Sequence, residues 1–153
     1  CARVNIAPPM LAVGIGKSKA TAEAILLNRS FSVCVPGSAH LEAVDYCGIV
    51  SGKKTDKSRL FKTFTGEAEN CPLVSDFPVN LECVLLHSQE LPDHYLFTAE
   101  ITGAWAREDA LRDGKTTFEN IDPLILTMSD NRYWKLGENC GKAWKAGLKL
   151  SNG

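Results

Sequence analysis

Apolar residues along this chain come in short runs and alternations, and glycine and proline interrupt them so often that strands, not long helices, are the expected elements. Pro8-Pro9 stops an opening segment, and Met10 to Ile15, apolar or small throughout, reads as a buried strand. Lys19 to Leu27 follows as a helix with Ala20, Ala24 and Leu27 on one face and Ser18 as its N-cap. Phe31 to Val35 alternates and is partly β-branched, a strand stopped by Pro36-Gly37. A short amphipathic helix begins near Ser38, turns Leu41 and Val44 inward, and runs out at Ser51-Gly52, where Gly52 is free to take a positive φ. Phe61 to Pro78 is broken by Gly66, Pro72 and Pro78 and predicts an irregular crossing with short strand pieces.

The longest strand-like segments are Val79 to Ser88 and Tyr95 to Trp105, separated by Gln89 to His94 with Pro92-Asp93 at the turn, which predicts an antiparallel hairpin. Arg107 to Asn120 is polar, with another turn at Asp113-Gly114. Leu124 to Thr127 reads as a last strand and Asn139 to Leu150 as a short terminal helix. Several strands, few long helices and a central hairpin make the fold class mainly β with short helices, as a small barrel or an α+β arrangement. No internal repeat or low-complexity tract disturbs this pattern.

With 153 residues, 44% of them hydrophobic, the chain is long enough for a real core, and residues 1–153 read as one domain. The balance of 17 Lys and Arg against 18 Asp and Glu leaves a net charge of −1, which argues against nucleic acid as a partner, since a duplex needs a broad basic face. No apolar run approaches the roughly 18 residues that span a bilayer, so no membrane partner is expected. The six cysteines (Cys1, Cys34, Cys47, Cys71, Cys83, Cys140) include no C-x-x-C pair and support neither a zinc ribbon nor a thioredoxin-type couple. A reduced, cytoplasmic setting suits them, with the disulfides of a secreted domain as the alternative. In that setting the formal sequon Asn28-Arg29-Ser30 is unused.

Charge is concentrated in one place. After the second helix, Lys53, Lys54, Lys57 and Arg59 form a basic loop with only Asp56 as counter-charge, which suits an anionic ligand or a partner's acidic surface, or else a solvated turn. Gly14-Ile15-Gly16-Lys17-Ser18 suggests a phosphate loop, but the glycine that a Walker A motif needs falls on Leu11. What remains is general: Lys17, Ser18, Lys19 and Thr21 lie where a strand meets a helix N-terminus, and free N–H groups with the helix dipole favour an anion there. A capped helix with solvated lysines is the simpler reading. His40 and His87 read as packing or surface residues, and Cys47 as a small apolar filler. No Ser-His-Asp arrangement and no metal-ligand spacing occurs, so no metal is expected.

The segment Asp45 to Phe61, DYCGIVSGKKTDKSRLF, resembles the flavin reductase-like, or flavoredoxin, family of FMN-binding split barrels, in which a D-Y-x-G-x-x-S-G-x-x-x-D-K pattern recurs. LECVLLHSQELPDHYLFTAEI is similar to that family's pair of long barrel strands, and IDPLILTMSDNRYWKLGENCGKAWKAG to its closing elements. The resemblance implies a split β-barrel, FMN as cofactor, NADH or NADPH as electron donor, a homodimer with flavin at the interface, and action as a flavin reductase or as an electron carrier with a redox-protein acceptor. The alternative is a non-catalytic FMN-binding or interaction module. It also implies that Lys17, Ser18, Lys19 and Thr21 meet the FMN phosphate, that Ser51, Gly52, Asp56 and Lys57 border the flavin, and that His94 meets the nicotinamide. Pro92, Ala99 and Ile101 replace Gly, Gly and Val of the family pattern around His94, so FMN binding has more support than nicotinamide use. Tyr133, Trp134 and Trp144 are expected to seal the barrel or a subunit contact rather than stack on a ring. Two strands and a polar Asn/Thr-containing turn that in the family come before the position of Cys1 have no counterpart here, and the chain reads as N-terminally incomplete.

Overall fold

Two long strands organise the molecule, whose computed structural model describes residues 1–150. In chain order the elements are β1 (Ala2–Asn5), β2 (Met10–Gly16), α1 (Ala20–Asn28), β3 (Ser30–Val35), α2 (Leu41–Ile49), β4 (Thr63–Thr65), β5 (Pro72–Val74), β6 (Val79–Glu90) and β7 (His94–Ala106). They are followed by β8 (Leu111–Arg112), β9 (Lys115–Thr116), α3 (Phe118–Ile121), β10 (Ile125–Thr127) and β11 (Arg132–Trp134). The predicted hairpin is β6–β7, longer at both ends than its apolar pattern, with Pro92 and Asp93 between the paired residues Leu91 and His94. It lies inside a five-stranded antiparallel sheet of order β1-β2-β7-β6-β3, while β4–β5, β8–β9 and β10–β11 form separate two-stranded pieces. The sheets do not close into a continuous barrel.

One face of the sheet and the helix α1 enclose the core: Leu11, Ala22, Ile25, Phe31, Cys83, Leu85, Phe97 and Ala99. Phe97 and Ala99 are fully covered. Burial pushes the Cys83 thiol up to about 12 and also raises that of Cys71, so both stay protonated, as small apolar fillers. A second buried group sits where β6 leaves this core. Glu82 is fully buried, and its carboxyl accepts the backbone N–H groups of Glu67 (3.2 Å) and Ala68 (3.3 Å). Beside it the Asn80 side chain bonds both the N–H and the carbonyl of Val74, each at 3.0 Å, fixing the irregular crossing to the sheet.

Several expectations are corrected. The inward face of α1 is Ala22 and Ile25, not Ala20, Ala24 and Leu27; Leu27 is 82% exposed. Three consecutive apolar residues, Ile25-Leu26-Leu27, carry no helical phase of their own, and packing against Leu11 and Phe31 selected Ile25. The N-cap is Lys19, in extended conformation and without a side-chain bond, rather than Ser18. Leu41 is exposed and Val44 only half-buried, and α2 has no fully buried residue. Gly52 does not take a positive φ. The chain leaves α2 through extended Val50, and the Lys57 ammonium donates to the carbonyls of Cys47 (2.8 Å) and Val50 (3.0 Å), supplying the cap that a left-handed glycine would have given. At the C-terminal end the expected strand is there, with an unforeseen partner in β11. The expected helix shrinks to a 3-10 turn at Ala146–Leu150, because Gly141 and Trp144 both take positive φ.

Candidate functional site

The topology opens a cavity of about 530 Å³ at one end of the sheet. Its floor is the last turn of β2, Gly14 to Gly16; one wall is the start of α1, and the other is the end of α2 with the turn beyond it, Cys47 to Gly52. Lys57 closes the side between them. Antiparallel pairing with β7 sets Gly14 opposite Leu96 and Gly16 opposite His94. A side chain at Gly14 would point into open space, so its absence keeps the floor clear.

Among the described residues that line this space there is no carboxylate. Ser18, Lys19 and Thr21 line it from the α1 side and Ser51 and Lys57 from the other. Helix geometry leaves the N–H groups of Ala20 and Thr21 without intrahelical acceptors, and the positive end of the α1 dipole points the same way. Hydroxyls, ammonium groups and amide donors converging on one space suit an anion. A third N–H of the Lys57 ammonium remains beyond the two carbonyls it caps.

Six of the eight residues expected to meet the flavin therefore come together: Ser18, Lys19, Thr21, Ser51, Gly52 and Lys57. Two do not line the cavity. The Lys17 ammonium turns away to Glu90, 2.6 Å distant, and lies 5.6 Å from the centre of the Tyr95 ring. Asp56 accepts the Ser58 backbone N–H at 2.9 Å, and that bond holds its carboxyl below the usual carboxylate range. Of the other basic-loop residues, Lys53 pairs with Glu23.

His94 stands at the edge, outside the lining residues, with Nε2 3.8 Å from where a Gly16 side chain would begin. Its Nδ1 meets the Asp93 carboxylate at 2.8 Å, and this bond holds Asp93 below its ordinary value. Ala99 is buried in the core, opposite Leu11 and Leu85, so it crowds the interior rather than the cavity. Tyr133 donates to Asp45 at 3.2 Å and Trp134 to Thr127 at 2.9 Å, neither on the cavity, and Trp144 is 96% exposed. Ile15, Gly48, Ile49 and Val50 were not singled out as site residues, yet they line the cavity through backbone and apolar surface. The signal for the floor is the G-I-G spacing, which serves as open backbone rather than as part of a Walker motif.

The chain is similar to known proteins over most of its length. A family model described as a flavin reductase like domain matches residues 1–136. Among solved structures, flavoredoxin from Methanosarcina acetivorans is 46% identical and superposes with a TM-score of 0.95, covering 97% of this chain and 80% of that one. Flavoredoxin of Desulfovibrio vulgaris (Miyazaki F) is 32% identical with a TM-score of 0.88, covering 95% and 80%. An uncharacterized protein of Archaeoglobus fulgidus is 32% identical over 114 residues, 73% of this chain; the match spans 64% of that relative's length. Among the described residues no helix is long and apolar enough to cross a membrane.

Proposed function

From the premise that the chain belongs to the flavin reductase-like domain family, with its split-barrel fold, we propose that it is an FMN-binding electron-transfer flavoprotein. The observation that carries this reading is the convergence of Ser18, Lys19, Thr21, Ser51 and Lys57 on one cavity at a helix N-terminus. When bound, FMN supplies electron or hydride transfer at its ring, chemistry that no side chain of the site provides. The chain's own part is binding and orientation. Ser18, Lys19 and Thr21, with the α1 amides, would hold the phosphate; Lys57, which fixes the end of α2, would add charge; Gly14 to Gly16 and Cys47 to Gly52 would form the walls beside the flavin.

Two modes of use follow. As a reductase, the protein takes hydride from NADH or NADPH beside His94; as a carrier, it exchanges electrons with an acidic redox protein. Pro92 at the turn before His94, and Lys54 and Arg59 in the loop after the cavity-lining turn, favour the carrier. Six unpaired thiols suit a cytoplasmic location. Apolar side chains exposed along the last hairpin, Leu126, Met128 and Trp134, favour a homodimer.

The test is the visible spectrum of the purified full-length protein, followed by anaerobic titration with each nicotinamide, with mass read by light scattering on the same sample. A yellow dimer bleached by NADH or NADPH is the reductase, and a yellow dimer bleached by neither is the carrier. A colourless folded protein that takes up no FMN ends the flavin reading and leaves a non-catalytic interaction module.

A further inference from the structure

The basic residue closest in sequence to the anion site is the one the fold withdraws from it. Gly16 and Ser18 line the cavity, while Lys17 between them, in the turn after β2, does not. Three features hold it there. Its backbone N–H donates to the Asp93 carbonyl at 3.0 Å, its ammonium pairs with Glu90 at 2.6 Å, and the Tyr95 ring lies beneath it. Tyr95 is itself fixed, half-buried and stacked on Phe97 with centroids 5.6 Å apart. Among the basic side chains in ion pairs of the described residues, Lys17 is the most covered, at 30% exposed.

We propose that Glu90 is a specificity-determining residue of this cavity, acting by holding the Lys17 ammonium against the hairpin and so limiting the positive charge offered to a bound phosphate. The inference rests on the reading of the cavity as a flavin-phosphate site. With Lys17 engaged, a phosphate monoester meets Lys19, Lys57, two hydroxyls and the helix amides. With Lys17 released, the same turn offers another cation within one residue of Ser18. The Glu90 carboxylate is 66% exposed and touches no lining residue in the described hydrogen bonds, so its loss changes the charge at the turn without removing a wall of the cavity.

The test titrates FMN and riboflavin into flavin-free protein, reading quenching of flavin fluorescence, for wild type, Glu90→Gln, Lys17→Ala and the double variant. Riboflavin lacks the phosphate and reports the ring site alone. Glu90→Gln is expected to tighten FMN about fivefold, the scale of one added charge-assisted contact, with riboflavin unchanged. Lys17→Ala in the wild-type background is expected to leave FMN within about twofold, and in the Glu90→Gln background to cancel the gain. Unchanged FMN affinity in Glu90→Gln, or a larger loss from Lys17→Ala alone, overturns the proposal, the second outcome making Lys17 a direct phosphate ligand. Wild type that does not distinguish FMN from riboflavin, or binds neither, refutes the phosphate-site reading itself, before any variant is compared.

Discussion

Two glutamates on the same strand, β6, have opposite surroundings. Glu82 is fully buried, its carboxyl taken up by two backbone N–H groups and pressed between Gly66, Gly103 and the Trp105 ring. Glu90, at the exposed end of the strand, makes one ion pair with Lys17. A buried carboxyl must have its partners in place whatever else happens, because leaving it unsatisfied costs far more than its bonds return. An exposed ion pair is worth at most about 1 kcal/mol, so its consequence is where it puts a charge. One glutamate shapes the fold and the other tunes a site.

The strongest way to break this contrast is to crowd the buried member. A methyl group at Gly103 would lie 2.8 Å from Glu82 Oε2 and still closer to the Trp105 ring, which packs edge-on against Phe64. Neither neighbour is a free chain end, so Gly103→Ala should cost about 2 to 4 kcal/mol in urea unfolding. Gly14→Ala is the control: the methyl meets nothing within 4 Å, and stability should move by less than about 1 kcal/mol. Equal losses at the two glycines would mean that Glu82 and Trp105 yield easily and that their site is not rigid.

The same contrast explains what the sequence made readable. The β6–β7 hairpin was legible because alternation and the Pro92-Asp93 turn agree, and the cavity because Ser18, Lys19 and Thr21 lie at a strand-to-helix junction while Ser51 to Lys57 carry a family motif. The burial of Glu82 was not legible. A bulge between Glu82 and Cys83 sets Glu82 opposite Gly103 and Cys83 opposite Ile101, so two successive residues are buried and the period of two is broken. Nor could the loss of Lys17 from the site be read, since Glu90 reaches it only through the registers of β2 on β7 and of β7 on β6. The hairpin and the strand-to-helix junction were visible from local pattern; the cap at Lys19, the conformation of Gly52 and the positions set by cross-strand register were not.

Lys57 falls between the two glutamates, since it both caps α2 and faces the cavity. Lys57→Met keeps the chain length and removes the bonds to the Cys47 and Val50 carbonyls. The expected cost is about 1 kcal/mol, with faster hydrogen exchange confined to the last turn of α2 and the segment after it. A stability loss without that local exchange would move the role of Lys57 away from the cap. Exchange without weaker FMN binding would leave it as cap alone.

The smallest expected effect concerns Asp122, whose side chain is 41% exposed, and it sharpens the distinction by pH. The Ser38 hydroxyl donates to its carboxylate and Lys135 pairs with it at 2.9 Å, so Asp122 is held below the ordinary carboxylate range, the hydroxyl contributing most. A carboxylate with a lowered value in the folded protein binds its proton less readily there than in the unfolded chain. Its stabilisation is therefore complete above the unfolded value of about 3.9 and fades as pH falls through the lower folded one. With so much of the group in water, the gain at neutral pH should be no more than about 1 kcal/mol. Urea unfolding of Asp122→Asn against wild type should give a gap that is constant from neutral pH to about pH 5 and closes toward pH 2. A gap that persists undiminished at pH 2 would assign the loss to packing of the Ser38 turn rather than to charge, and would place Asp122 with Glu82 as a shaping residue.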